Sequence, residues 1–354
     1  ATAPKPPSDI RLWFASLVER LAARLRGAQP SSPSSGEAGT GTASPAPLPQ
    51  ETQKGFAAKT GPQPRSRLDF ELIRPASLSE AVRILDTDDR SVRPYSGGTA
   101  LMLMMKSGVF SPTKLVDLSP LDAELAGIGE ADGGLRIGSL TNLATLGTDA
   151  LVQIHAPVIT RAIPRLSNVR VRNAARVGGC MAHGDPHMDL PPILASLRGA
   201  IDIVGPAGAR SLAVEDLYSG YYQTVLERGE LIASVRLPSQ SGWRSVYRKT
   251  TVRTYDDWPA LGVAASARFE GDAVGDVRVV VSAATEKVTR IVGLEAMLNG
   301  KRLDAKLAAD AGAFAASEVE TLDDVQGTAA YKRLLVEVEV RRALLALLDE
   351  ETRA

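Results

Sequence analysis

Residues 28–66 are mostly Pro, Ser, Gly, Thr and Ala, with too few large apolar side chains to offset the entropy of ordering the backbone. The tract reads as a linker and confines any large packed body to the residues C-terminal to it. Before it, PPSDIRLWFASLVERLAARLRG places Ile10, Trp13, Phe14, Leu17, Val18, Leu21 and Leu25 at helical spacing, with Ser8 to start a helix and Gly27 to stop it. One amphipathic helix is expected within residues 1–27. A single helix cannot bury its own apolar stripe, so it needs a docking partner: the main body, another subunit or a membrane surface. Asp9 and Glu19 interrupt the basic face that anionic lipid favours, which points to protein.

From residue 67 onward, β-like runs alternate with helical ones. SVRPY, KLVDLS, LRIGS, VRVRNAARVGG, AIDIVGP and ELIASVRLP read as strands, and TALMLMMKSG, TNLATLGTD and MDLPPILASLRG as helices. After Pro238 the strands lengthen: WRSVYRKT, LGVAASARFEG and DVRVVVSAAT, the last two joined by a Gly/Asp turn. Three helical segments then follow, ending in YKRLLVEVEVRRALLALLDE. The expectation is α+β: an α/β part over 67–238, then an antiparallel sheet with helices on one face over 239–354. With 41 basic and 41 acidic residues there is no basic field to attract nucleic acid. The single cysteine, Cys180, excludes an internal disulfide or a four-thiolate cluster and suits a reducing cytoplasm. No apolar run approaches the roughly 18 residues of a transmembrane segment.

Two glycine pairs carry the chemistry. Ser96-Gly97-Gly98-Thr99 follows the SVRPY run and leads into a helix-forming stretch; Gly178-Gly179 follows VRVRNAARV about eighty residues later. Glycine pairs bring bare amides against a ligand, and with a helix start behind them they suit phosphate, so two such turns can clasp one pyrophosphate. Neither turn fits G-x-G-x-x-G or G-x-x-x-x-G-K-[ST], which disfavours the usual dinucleotide fold and the P-loop. A metal reading competes: Cys180, His183 and His187 have the spacing C-x2-H-x3-H, with Asp185 and Asp189 interleaved. Pro186 breaks any helix that would align them. The plain alternative is that both histidines are turn residues.

RNAARVGGCMAHGDPHMDLPPIL resembles the second flavin-binding motif, RN-x-G-T-I-G-G-N-x-A-x-A-D-P-x-A-D-L-P, of the FAD-carrying medium subunit in the xanthine dehydrogenase and carbon monoxide dehydrogenase family. SGGTALMLMMKSGVFSPTKLVDLS is similar to its first motif. LRIGSLTNLATL, LYSGYYQTVLERGELIASVRLP and YKRLLVEVEVRRAL also look like family segments, so the resemblance runs from about 67 to 350. It implies a PCMH-type, vanillyl-alcohol-oxidase-like FAD-binding domain of two subdomains, about 67–120 and 121–238, followed by a C-terminal domain. It also implies two partners: a small subunit with [2Fe–2S] clusters and a large molybdopterin subunit. Electrons from substrate hydroxylated at molybdenum then reach FAD through the clusters and leave to an external acceptor.

Carried over residue by residue, Ser96, Gly97, Gly98, Thr99 and Ala100 fall on the first motif, and Arg176, Val177, Gly178, Gly179 and Cys180 on the core of the second. His183, Asp185 and Asp189 fall on its A-H-x-D-P and D-L-P positions, Asp189 as an acceptor for a ribose hydroxyl or a turn-fixing carboxylate. Three positions depart from the pattern: Ala100 replaces an aspartate, Arg176 a threonine and Cys180 an Asn or Asp. An arginine at 176 either loses a hydroxyl donor or adds a charge-assisted bond to the pyrophosphate. TVRTYDDWPALGVAA matches a family region close to the cofactor, where Arg253 steadies charge on reduced flavin and Tyr255 and Trp258 cover the ring; alternatively Arg253 pairs with Asp256 or Asp257. Two other functions stay open: a flavin-free assembly subunit of the same complex and a stand-alone FAD oxidase.

Overall fold

The structure is a computed structural model and describes residues 69–349. The helix expected within 1–27 and the tract at 28–66 lie outside the described residues.

The described chain opens with β1 (Glu71–Ile73), α1 (Leu78–Leu85), β2 (Val92–Tyr95), α2 (Thr99–Lys106) and β3 (Lys114–Asp117). Its three strands form a parallel sheet of order β1-β3-β2, and parallel neighbours need crossover connections, which the helices supply. Ser77 caps α1 by accepting from the Glu80 amide. Ala81, Leu85, Val116, Leu118 and Leu125 pack with Leu231 and Ala233 of the next sheet, fixing this small sheet to the rest.

A short turn, α3 (Asp122–Leu125), leads into the hairpin β4 (Ile128–Ala131) and β5 (Gly134–Gly138). Six short helices follow: α4 (Leu143–Thr148), α5 (Ala150–His155), α6 (Pro157–Ala162), α7 (Val169–Ala174), α8 (Val177–Ala182) and α9 (Leu190–Ser196). Asn142, Asp149 and Asn168 start three of them, each accepting amide hydrogen bonds from the first turn. Next come β6 (Ala200–Gly205), β7 (Gly208–Ala213), the small hairpin β8 (Tyr218–Gly220) with β9 (Gln223–Thr224), and β10 (Leu231–Leu237). The resulting sheet, β4-β5-β10-β6-β7, is antiparallel throughout.

One local expectation is corrected. VRVRNAARVGG is not a strand: Val169–Ala174 is helical and the glycine pair sits inside α8, not at a strand end. The Val/Arg alternation gives β periodicity, but Asn168 accepts from the amides of both Arg170 and Val171, and that cap decides for helix. The only ladder contact here is the isolated bridge between Asn142 and Arg176.

The third sheet, β11 (Trp243–Thr251), β12 (Pro259–Glu270), β13 (Ala273–Ser282) and β14 (Thr289–Arg290), is antiparallel and followed by α10 (Val292–Leu298), α11 (Ala305–Glu318) and α12 (Ala329–Ala346). Val277, Val279 and Val281 of β13 pack on those helices, whereas Val280 faces the other way into the core of the second sheet. β12 is buried continuously from Pro259 to Ala267 because it is covered on both faces, which is why it reads as an apolar run. Every residue of α9 is buried. It wedges between the lobes, where Ser196 O accepts from Ser266 Oγ at 2.6 Å, and so fixes the residues just before it, 183–189, at the junction.

Candidate functional site

A cleft of about 680 Å³ is lined by both glycine pairs. At the first, Gly98 has φ +67°, a left-handed angle that suits glycine, and caps α2 without a side-chain bond. A Cβ on Gly97 collides with the Ala174 carbonyl, so the first turn runs directly against the chain that enters the second. At the second, the amides of Val177 and Gly178 are used internally, donating to Thr141 O at 3.0 Å and Ser139 O at 2.7 Å. A Cβ on Gly178 falls 2.8 Å from the Ser139 side chain. Gly179 differs: the nearest atom to a Cβ there is Ser96 Oγ, at 3.8 Å, so this glycine opens onto the first turn. Among the described residues, the amides of Gly98, Thr99, Ala100 and Gly179 find no acceptor. Backbone donors require partners, so these four face water or a ligand oxygen.

The opposite wall comes from the C-terminal lobe, through Lys249, Asp256 and Trp258, beside His183, His187 and Tyr222. Tyr247 and Lys249 lie two residues apart on β11, hence on one face. Both donate to the Asp189 carboxylate, Lys249 Nζ at 2.9 Å. The Lys249 side chain is 3 % exposed and also donates to the Arg165 carbonyl. Burial pushes the Asp189 carboxyl up, against the pull of Lys249 and Tyr247. Burial pushes His183 down, leaving a neutral ring edge-on to Tyr222.

His187 is the centre of a charged chain. Its Nδ1 faces Asp185 Oδ1 and its Nε2 faces Asp324 Oδ2, both at 2.8 Å, and Asp324 also accepts from Lys332, which is fully buried. Lys332 donates to the Ala283 carbonyl at 2.9 Å, and the Ala283 amide donates to the carbonyl of Pro186, the residue before His187. These bonds close a ring that ties the motif to two segments of the C-terminal lobe. Burial opposes charge on His187, but the hydrogen bonds and charges of Asp185 and Asp324 prevail and lift it to about 9 from 6.5. A base raised on folding stabilises the fold fully below its unfolded value and ceases to do so as pH rises through the folded one. Stability is therefore expected to decline between about pH 6.5 and pH 9, by on the order of 3 kcal/mol, in urea titrations on either side of that window. A flat profile there contradicts the charged state of His187.

The same geometry decides against the metal reading. Among the described residues no three His, Cys, Asp or Glu side chains converge as ligands. Both His187 nitrogens are occupied by carboxylates, and burial, helped by Asp189, pushes the Cys180 thiol up to about 12, far from the thiolate a metal needs.

Of the residues singled out from sequence, Ser96, Gly97, Gly98, Thr99, Ala100, Arg176, Gly178, Gly179, Cys180, His183 and Asp189 line the cleft; Val177, Asp185 and Arg253 do not. Val177 is buried in the core, its amide spent on Thr141. Asp185 orients His187 through both its ring and its backbone amide. Arg253 is exposed and pairs with Asp257, the alternative foreseen for it. Arg176 turns its guanidinium to the Leu140 carbonyl at 2.7 Å and towards Asp122. Trp258 lines the cleft and stacks on His187, whereas Tyr255 is exposed outside it. Sequence reasoning missed Lys249, Tyr247, Asp324 and Lys332. The period-two placement of Tyr247 and Lys249 was a usable signal, but nothing local links Asp324 or Lys332 to a turn more than a hundred residues earlier.

Comparison with known proteins agrees with this geometry. The family model for the FAD binding domain in molybdopterin dehydrogenase matches residues 68–240, and that for the CO dehydrogenase flavoprotein C-terminal domain matches 245–347. The carbon monoxide dehydrogenase medium chain of Hydrogenophaga pseudoflava is 31% identical over 281 residues, covering 78% of this chain and 96% of that one. The chain belongs to the FAD-binding medium subunits of the molybdenum hydroxylase family. The glyceraldehyde dehydrogenase medium chain of Sulfolobus acidocaldarius is 29% identical over 275 residues, covering 78% of this chain and 97% of its own length. A solved carbon monoxide dehydrogenase from Hydrogenophaga pseudoflava superposes with TM-score 0.77 at 30% identity, covering 80% of this chain and 98% of that chain. This medium subunit is thus part of an oxidoreductase, and the cleft fits its cofactor. A diphosphate needs several convergent donors and close backbone approach, which the four unbonded amides and the open face of Gly179 supply. No described helix is long and apolar enough to cross a membrane.

Proposed function

We propose that this medium subunit is the electron-transfer chain of a heteromeric molybdenum hydroxylase. Electrons arrive from [2Fe–2S] clusters of a small partner subunit, substrate is hydroxylated at the molybdopterin of a large one, and an external acceptor takes the electrons from this chain. FAD, when bound, supplies the chemistry that links paired and single electron transfer. The chain's own residues bind and orient it. Amides of Gly98, Thr99, Ala100 and Gly179 hold the diphosphate, and Ser96 stands beside them. Lys249 and Asp189, fixed by each other and by Tyr247, present a preorganised polar pair, and Trp258 limits access of water from the C-terminal side. Residues 67–238 carry the cofactor and 239–354 close the cleft.

The observation that supports this reading best is the meeting of two glycine turns, eighty residues apart in sequence, at one cleft with their free amides unbonded. Purification of the native complex tests it. The expected result is FAD, iron and molybdenum in fixed proportion, with this chain accompanied by two others and the flavin band bleached by the substrate of the complex. A complex without flavin, or a flavoprotein that turns over without partners, contradicts it.

A further inference from the structure

The cleft wall beside Trp258 holds more buried charge than diphosphate binding requires. Three carboxylates, Asp185, Asp189 and Asp324, stand there against three cations, His187, Lys249 and Lys332. The set is neutral only while His187 is charged. Lys332 lies fully behind Asp324, so the cations that line the cleft in this set are His187 and Lys249. His187 is 6 % exposed, and its ring stacks on Trp258 at 6.3 Å with an interplanar angle of 25°. The facing wall presents Leu101, Leu103 and Met104 of α2 and, beyond the end of that helix, Phe110 with the Arg93 guanidinium over its ring at 5.0 Å.

A flavin ring is flat and aromatic, and uptake of two electrons and one proton leaves it with one negative charge. A wall of aromatic side chains with fixed cations suits that ring, and at the Trp258 wall the cation is held in place by two carboxylates. We infer that His187, by offsetting the negative charge of Asp185 and Asp324 beside the cleft, sets the reduction potential of the flavin bound there, a redox-tuning role clamped in place by those same two carboxylates. The inference rests on the reading of function above. Fixed charge in a water-poor site acts strongly because little solvent screens it. The other titratable groups of this cluster are Asp189 before α9, which feels the His187 charge, His183 after α8, which interacts with Asp185, Tyr221 and Tyr222 between β8 and β9, which interact with Asp185 and Asp324, and Lys332 of α12, bonded to Asp324. Burial keeps His183 neutral and pushes both tyrosines up, so none of these three supplies a competing charge near neutral pH.

The test is a redox titration of the flavin band in the native complex carrying His187→Gln or His187→Lys. In His187→Gln, with flavin still bound, the ratio of reduced to oxidised flavin at a fixed potential is expected to fall at least tenfold, a shift of about 30 mV for a two-electron couple. His187→Lys restores the cation and is expected to keep the parent potential. An unchanged potential in His187→Gln, or an equal fall in His187→Lys, overturns the assignment. Should neither variant complex accumulate, the parent complex decides: its potential plotted against pH is expected to bend near 9, where His187 loses its proton, and a plot without that bend overturns the assignment. A parent complex that lacks flavin overturns the functional reading itself, a result distinct from bound flavin with an unmoved potential.

Discussion

Gly179→Val is expected to give a folded medium subunit that no longer retains flavin. The position has room for a Cβ, which meets nothing closer than Ser96 Oγ at 3.8 Å. What the side chain fills is the space between the two glycine turns, the space the diphosphate needs. Two hydrogen bonds from amides to a charged oxygen contribute about 1.5–3 kcal/mol each, so pushing the phosphate out of reach of Gly179 and its neighbours costs on the order of 3 kcal/mol or more. That corresponds to over a hundredfold in affinity. Gly97→Ala is the control: its Cβ strikes the Ala174 carbonyl, backbone against which nothing flexible can yield, so the fold itself is expected to suffer. Flavin-to-protein absorbance ratios and thermal melts separate the two outcomes. Full flavin occupancy in Gly179→Val removes the glycine cradle from the site.

How much of this is legible in the sequence depends on whether the cause is local. The β2-α2-β3 unit, the change of texture after Pro238 and the Gly271-Asp272 turn between β12 and β13 all rest on periodicity and turn chemistry, and the sequence carries both. Val169–Ala174 misleads because Val/Arg alternation imitates a strand, while the Asn168 cap that makes it a helix is a signal only two residues deep. The first glycine turn sits ahead of a helix, as its sequence context implies; the second lies within a helix instead of at a strand end. Asp185 and Asp189 read as one cluster along the chain, yet they serve different partners: Asp185 holds His187, and Asp189 is held by Tyr247 and Lys249. Those partners come from another lobe, and α9, wedged between sheets, brings them together. Spacing along the chain says nothing about such contacts, which is also why C-x2-H-x3-H resembled a ligand set.

Lys332→Met is expected to destabilise the subunit by about 3–5 kcal/mol, the usual consequence of removing one partner from a buried charge pair. Methionine matches the stem of the lysine, so packing within α12 is kept and the loss is electrostatic. Asp324 is left with His187 and the Gln326 amide, and the Ala283 carbonyl loses its side-chain donor in a place where water does not reach. The hydrogen-bonded ring from Pro186 through Ala283, Lys332, Asp324 and His187 is then open: the motif turn keeps its bonds to Ala283 and Asp324, but those two segments are no longer tied to each other. For a body of this size the melting temperature is expected to fall by roughly 10 °C. Adding Asp324→Asn removes the carboxylate that Lys332 neutralised, so the double variant is expected to lose less than the sum of the two single changes, as residues of one network do. Strict additivity, or a melting temperature within a degree or two of the parent, means that Lys332 is spectator charge and that α12 is held by its apolar face alone.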